Sequence, residues 1–119
     1  MIRFIQPQFT HSDDRGHLIQ LFSDGWKQVN VSFSRSRISR GGHYHKLNRE
    51  LFYIISGEVM IKLLNVITQE QQELKVVEHQ MFVIEKFIGH TFEFLQDTTM
   101  VVCYDTGVIV NKEMDIYNI

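Results

Sequence analysis

Along most of this chain apolar residues fall at every second position or in short unbroken runs, and no 3.6-residue period lasts long enough to make a helix. The pattern predicts short strands separated by turns. Phe4, Pro7 and Phe9 read as an extended lead-in, Ser12 to Gly16 as a turn by its Asp and Gly content, and His17 to Phe22 as a strand closed by Ser23-Asp24-Gly25-Trp26. From Gln28 the alternation is strict for several residues, with Val29, Val31 and Phe33 on one face and Gln28, Asn30, Ser32 and Ser34 on the other. That polar face is expected to meet either solvent or a polar pocket, and the bare pattern favours solvent. A central hairpin runs from Leu51 to Ile55 through Ser56-Gly57-Glu58 into Val59 to Leu64, and the Gln- and Glu-rich stretch Asn65 to Glu73 is expected to be a polar loop or hairpin tip. Short strands at Leu74 to Val77 and Met81 to Ile84 flank Glu78-His79-Gln80. After a loop at Glu85 to Gly89, the stretch His90 to Leu95 alternates again with His90, Phe92 and Phe94 on one face. Asp97 and Thr98 turn the chain into Met100 to Asp105, and a mixed tail, NKEMDIYNI, follows. This succession predicts an all-β antiparallel sandwich or barrel, without internal repeat or linker.

Composition narrows the function classes. With 119 residues the chain is read as a single domain, 1–119, able to bury a core without a metal or disulfide staple. Its formal net charge is −2 and its Lys and Arg residues are scattered singly, so no nucleic-acid patch and no polybasic membrane anchor is visible. No apolar stretch approaches the length of a membrane span and the amino terminus has no long apolar segment, so a soluble cytoplasmic protein is expected. Cys103 is alone in an apolar run and is expected to be a buried, inert thiol.

The candidate chemistry sits in RGGHYHKLNRELFYIISG, Arg40 to Gly57. On an extended backbone His43 and His45 leave the same face while Tyr44 points the other way. Lys46 to Arg49 is a plausible turn, after which Glu50 returns across the neighbouring strand within reach of both histidines. Two imidazoles and a carboxylate from paired strands are most of a first-row transition-metal site, and His90 is a candidate fourth ligand. A lone strand histidine is ordinarily a surface or hydrogen-bonded residue, and His11, His17 and His79 are read so. It is the combination of His-x-His, a Glu at fixed spacing and a later His that sets this stretch apart. Phe52, Phe92 and Phe94 are read as core, and Trp26 either as core or as an aromatic platform at a barrel mouth.

The same stretch resembles the first motif of the cupins, HxHxxxxE with a Gly seven residues after the Glu. The second cupin motif is represented by His90 and little else. Three segments in order, DDRG at Asp13 to Gly16, Gln28 to His45, and Ile88 to Tyr104, are similar to dTDP-4-dehydrorhamnose 3,5-epimerases and their relatives. Those relatives include the cupin domains of capsular-polysaccharide enzymes that epimerise a UDP-linked 4-keto sugar at C3, and the sugar 3,4-ketoisomerases. The resemblance implies a double-stranded β-helix, that is a cupin or jelly-roll barrel, which acts on a nucleotide-activated sugar in surface-polysaccharide biosynthesis.

It also implies roles. Epimerisation beside a ketone needs a base, stabilisation of an enolate, and an acid on the opposite face. His43, which follows the Arg40-Gly41 pair, matches the epimerase base, and Arg40 would bind the enolate oxygen or the diphosphate, with Arg15 and Asn30 as further substrate contacts. In the alternative, His43, His45, Glu50 and His90 hold a divalent metal, zinc foremost and otherwise iron, nickel or manganese, with no organic cofactor. A metal-bound His43 nitrogen cannot also take the proton, so the base would then be Lys46, Glu93 or Tyr104. Tyr104 is the available acid in the metal-free case. The rhamnose-pathway enzymes place that tyrosine several residues later, where this chain has Ile109 and Val110. That departure favours a single epimerisation at C3, a 3,4-ketoisomerisation, or lost activity. From a different class, three His and one Glu also suit a non-haem iron dioxygenase, and an incomplete acid/base set suits a non-catalytic sugar sensor. A homodimer is expected from the resemblance and from the need to cover edge strands.

Overall fold

A computed structural model describes the whole chain, Met1–Ile119. There is no helix in it, and hence none long and apolar enough to cross a membrane. The strands are β1 (Ile2–Ile5), β2 (Phe9–Asp13), β3 (Gly16–Gln20), β4 (Gln28–Ser34), β5 (Ser39–Tyr44), β6 (Glu50–Ser56), β7 (Glu58–Asn65), β8 (Gln71–Val77), β9 (Met81–Ile84), β10 (Ile88–Phe94), β11 (Thr98–Tyr104), β12 (Ile109–Val110), β13 (Glu113–Met114) and β14 (Tyr117–Asn118). They form two five-stranded antiparallel sheets, ordered β1-β9-β6-β11-β4 and β14-β5-β10-β7-β8, with β2-β3 and β12-β13 as separate hairpins. This is the expected double-stranded β-helix.

The core explains why some strands alternate and others do not. Between the sheets lie Phe52, Ile54, Val59, Ile61, Leu63, Val76, Phe82, Phe92 and Phe94 with their neighbours. Phe52 stacks on Phe82 at 5.2 Å between ring centroids and meets Phe92 at 4.9 Å, and each such ring contributes ~1.5–3 kcal/mol by burial. On the outer face of the first sheet Leu51, Tyr53, Met81, Val83 and Cys103 are covered by Ile5, Ile19, Leu21, Phe22 and Trp26. β6 and β9 are therefore buried on both faces and read as continuous apolar runs. Cys103 is fully buried and burial pushes its thiol up to about 11, as expected of an inert cysteine.

Two expectations are corrected, and the tail, for which no structure was expected or excluded, is found to pair. In β4 the polar residues Asn30 and Ser32 face a cavity between the sheets, while Val29, Val31 and Phe33 are 56%, 70% and 57% exposed. The Asn65 to Glu73 stretch is only partly loop, since β7 runs to Asn65 and β8 begins at Gln71. β8 is an edge strand, where charged and amide side chains face water and discourage further pairing. The tail also folds, and β14 pairs with β5, placing Tyr117 opposite Tyr44 and Asn118 opposite His43.

Candidate active site

The cavity between the sheets holds about 180 Å³ and has a polar side, Asn30, Ser32 and Arg40, an apolar side, Phe52, Phe92, Met100 and Val102, and an end wall of His43, Glu50, His90 and Tyr104. Backbone geometry sets the end wall. Opposite the step from His90 to Thr91, β5 advances from His43 to Gly41, so Gly42 is an extra residue in a β-bulge. Gly41 has φ 101°, and a Cβ there would lie 2.5 Å from the His90 carbonyl oxygen, so only glycine allows β5 this close to β10. His43 and His90 are thereby directly paired, with ring centroids 4.8 Å apart. Glu50 opens β6 opposite Tyr104 at the end of β11.

His43, His45, Glu50 and His90 each offer one donor atom, and these all lie within 4.8 Å of one another. Glu50 Oε1 is 2.7 Å from His45 Nε2 and 3.1 Å from His90 Nε2, with all three side chains buried. The far side of each ring fixes its tautomer: His45 Nδ1 donates to the Asp115 carbonyl at 2.5 Å and His90 Nδ1 to the Ile88 carbonyl at 3.1 Å. Both Nε2 lone pairs are then aimed at a carboxylate oxygen. His45 Nε2 and Glu50 Oε1 are accordingly buried without a hydrogen-bond partner of proper geometry. Acceptors facing one another across so short a distance call for a cation between them, either a proton on an imidazole or a metal ion. The donor set, imidazoles and a carboxylate with their outer nitrogens anchored, suits a divalent transition metal.

Neighbours within the cluster shift the protonation of His43, His45 and Glu50. Burial pushes the Glu50 carboxyl up, yet the His90 and His45 rings more than offset this and hold it well below the carboxylate range. Burial pulls His45 down, but Glu50 and the Asp115 carbonyl carry it above the usual imidazole value. His43 is pushed down to about 4 by burial and by His90 and His45, and is therefore neutral at pH 7 with a free lone pair. Burial and the adjacent Glu50 carboxylate raise the Tyr104 phenol far above its ordinary range, so it stays protonated.

Several sequence candidates do not reach this cavity. Lys46 lies beyond the end of β5 and points outward, its Nζ 4.1 Å from the Tyr117 ring centroid. Arg15 sits at the exposed tip of the β2-β3 hairpin, held by Asp13 at 2.6 Å, and Glu93 pairs with Lys62 at 2.9 Å on the outer face. Arg40 and Asn30 do line the cavity, and Arg40 Nε donates to Ser34 Oγ at 2.7 Å. Of the groups considered as base or acid beside His43, only Tyr104 is present. Sequence reasoning missed Asp115 and Asn48, buried polar residues behind His45, and Ser32, whose buried Oγ has no partner. Nothing in the mixed tail or the Lys46 to Arg49 turn marks the first two as special.

Two antiparallel five-stranded sheets form a barrel of the cupin fold, with the three-histidine, one-glutamate cluster at the end of its cavity. The chain belongs to the polysaccharide biosynthesis C-terminal domain family, whose profile matches residues 11–116. It is 25% identical over 111 residues to the UDP-2-acetamido-2,6-beta-L-arabino-hexul-4-ose reductase of Pseudomonas aeruginosa, a match covering 90% of this chain and only 30% of the reductase. Among solved structures it is similar to the capsular polysaccharide assembling protein CapF from Staphylococcus aureus, with a TM-score of 0.71 and 24% identity over 93% of this chain and 34% of CapF. It also superposes on a dTDP-4-dehydrorhamnose 3,5-epimerase from Sulfolobus tokodaii with a TM-score of 0.75 and 23% identity, covering 87% of this chain and 69% of the epimerase. At these identities the structural likeness is one of fold.

Proposed function

We propose that this chain is a nucleotide-sugar isomerase that epimerises C3 of a dTDP- or UDP-linked 4-keto-6-deoxy sugar through an enolate, in surface-polysaccharide biosynthesis. The observation that carries the reading is the convergence of His43, His45, Glu50 and His90 at the end of a cavity that also presents Arg40 and Asn30. The names of two relatives, a dTDP-4-dehydrorhamnose 3,5-epimerase and a UDP-sugar reductase, support a nucleotide sugar as the substrate class, and the family name supports polysaccharide biosynthesis.

Within this reading the cluster would hold a divalent metal, zinc first, and such an ion would polarise the 4-keto oxygen and so acidify the proton at C3. The remaining chemistry belongs to the side chains. Arg40 is positioned to hold the diphosphate or the enolate oxygen, and Asn30 and Ser32 to orient the sugar hydroxyls. Phe52, Phe92, Met100 and Val102 exclude water from the ring. Tyr104, kept protonated, is the proton donor at the cavity wall. In a metal-free form His43 takes the C3 proton and Tyr104 returns one; with His43 on the metal, Tyr104 would have to take that proton itself, as the phenolate that a neighbouring cation favours. A base whose pKa is about 4 is a weak one, which favours the reading in which the ketone is activated first.

We also propose a homodimer in which a second copy covers the outward face of β4. That strand is a sheet edge with unpaired backbone groups and carries the exposed Val29, Val31 and Phe33.

The reading is tested by incubating the protein with dTDP- and UDP-4-keto-6-deoxy sugars in deuterated buffer and following the C3 proton by NMR. Loss of the C3 signal with deuterium incorporated supports epimerisation, and appearance of a 3-keto product supports the ketoisomerase alternative. Oxygen uptake with bound iron, or binding without exchange, would replace the reading by the oxygenase or the sugar sensor.

A further inference from the structure

The two histidines that face Glu50 are oriented by different means. His90 Nδ1 donates to Ile88, two residues away on the same strand, so β10 alone fixes that ring. His45 Nδ1 donates to the carbonyl of Asp115, 70 residues away in the tail. The tail strands β12, β13 and β14 are each two residues long, and Asp115, between β13 and β14, has one backbone bond of its own, its amide donating to the Val108 carbonyl at 2.7 Å; that leaves its carbonyl free to swing unless the side chain is also held.

The same residue supplies the missing constraint. The Asp115 carboxylate is buried at 2% exposure, and no Lys or Arg pairs with it. It accepts the Lys46 amide at 3.0 Å on one oxygen, and the Leu47 amide and Asn48 Nδ2, both at 2.9 Å, on the other. Asn48, 1% exposed, then ties the tail a second time: its Nδ2 donates to Gly107 at 2.8 Å and its Oδ1 accepts the Thr106 and Gly107 amides at 3.1 Å and 2.9 Å. One residue therefore grips the backbone immediately after His45 with its carboxylate and the His45 ring with its carbonyl.

The geometry points to Asp115, latched through Asn48, as a positioning residue that holds His45 with Nδ1 protonated and Nε2 turned toward Glu50. This rests on the proposed role of His45 in the cluster. It makes the tail part of the site's support, because an imidazole free to flip or change tautomer presents its Nε2 lone pair to the cluster only part of the time.

The experiment uses ¹⁵N-histidine-labelled protein and follows the exchange with water of the ring Nδ1 protons of His45 and His90 by NMR, with zinc affinity measured by chelator competition. In Asp115→Ala the His45 Nδ1 proton is expected to exchange at least about 10-fold faster while that of His90 changes less than about 2-fold, and zinc binding to weaken about 10- to 100-fold. If Asp115→Ala does not fold, Asp115→Asn, which replaces one acceptor oxygen by a donor, is expected to give the same pattern with smaller size. Unchanged His45 exchange in a folded variant, or equal acceleration at His45 and His90, would overturn the positioning role. Wild-type protein that takes up no zinc yet shows a protected His45 proton lost on Asp115 substitution would retain the positioning role and remove the metal reading.

Discussion

Replacing Gly41 by alanine tests how the backbone builds the site. Its φ of 101° lies in the left-handed region, where an L side chain costs ~1–2 kcal/mol. The new Cβ would stand 2.5 Å from the His90 carbonyl oxygen, against a relaxed carbon–oxygen approach of roughly 3.3 Å, so β5 must retreat from β10. Overpacking of that kind adds ~1–3 kcal/mol, for a total of about 2–5 kcal/mol. A chain of 119 residues has an unfolding entropy near 250 cal/mol/K, so each kcal/mol lowers Tm by roughly 4 °C and the loss is about 8–20 °C. Gly25, with φ 89° and nothing within 4 Å of its Cβ position, is the control: Gly25→Ala incurs the strain without the clash and loses about 4–8 °C. Calorimetry on both variants reads the difference. The retreat also carries His43 away from His90, so zinc affinity should fall in Gly41→Ala and not in Gly25→Ala. A Tm loss in Gly41→Ala no larger than in Gly25→Ala would refute the claim that this close approach holds the two strands in register.

Glu50→Gln removes the only carboxylate in the cluster; at about 100 times the wild-type Kd, zinc should stabilise wild type by ~2.7 kcal/mol and leave the variant's Tm nearly unchanged, as read by melting with and without chelator. The Asp115 carboxyl is raised by burial but lowered further by Asn48 and the Lys46 and Leu47 amides, so its net shift is downward from 3.8. A depressed carboxyl stabilises the fold above its unfolded value and loses that contribution as pH falls through the folded one. Tm should therefore be flat with respect to this group above about pH 4 and drop below it, and Asp115→Asn should show a shallower acid limb. Val31→Glu places a charge at the centre of the exposed β4 face and should convert a dimer to monomer in sedimentation without lowering monomer Tm; an unchanged assembly would remove that interface.

The convergence of three histidines and a glutamate was legible because its sequence signal is local. His43 and His45 share a strand face by period, and a short turn returns Glu50 to them, while His90 needed only a second alternating strand. β4 shows what period alone leaves open: alternation gives two faces without saying which is wet, and here the cavity takes the polar one. Lys46 was misplaced against that same period, which puts it with Tyr44 on the face opposite His43 and His45, and its Nζ stands 4.1 Å from the Tyr117 ring centroid. Asp115 was invisible because its partners lie 67 to 70 residues upstream and a carboxylate binding backbone amides leaves no motif. The missing tyrosine at Ile109 and Val110 was legible, and its structural counterpart is a cavity whose one phenol is Tyr104.

The central claim is that His43, His45, Glu50 and His90 act as one ligand set. X-ray absorption at the zinc edge of the loaded protein measures this directly. One ion per chain is expected, with only nitrogen and oxygen donors at about 2.0–2.1 Å, imidazole scattering beyond them, and loss of the ion in His45→Ala. A sulfur donor near 2.3 Å, or the same spectrum and metal content in His45→Ala, would contradict it.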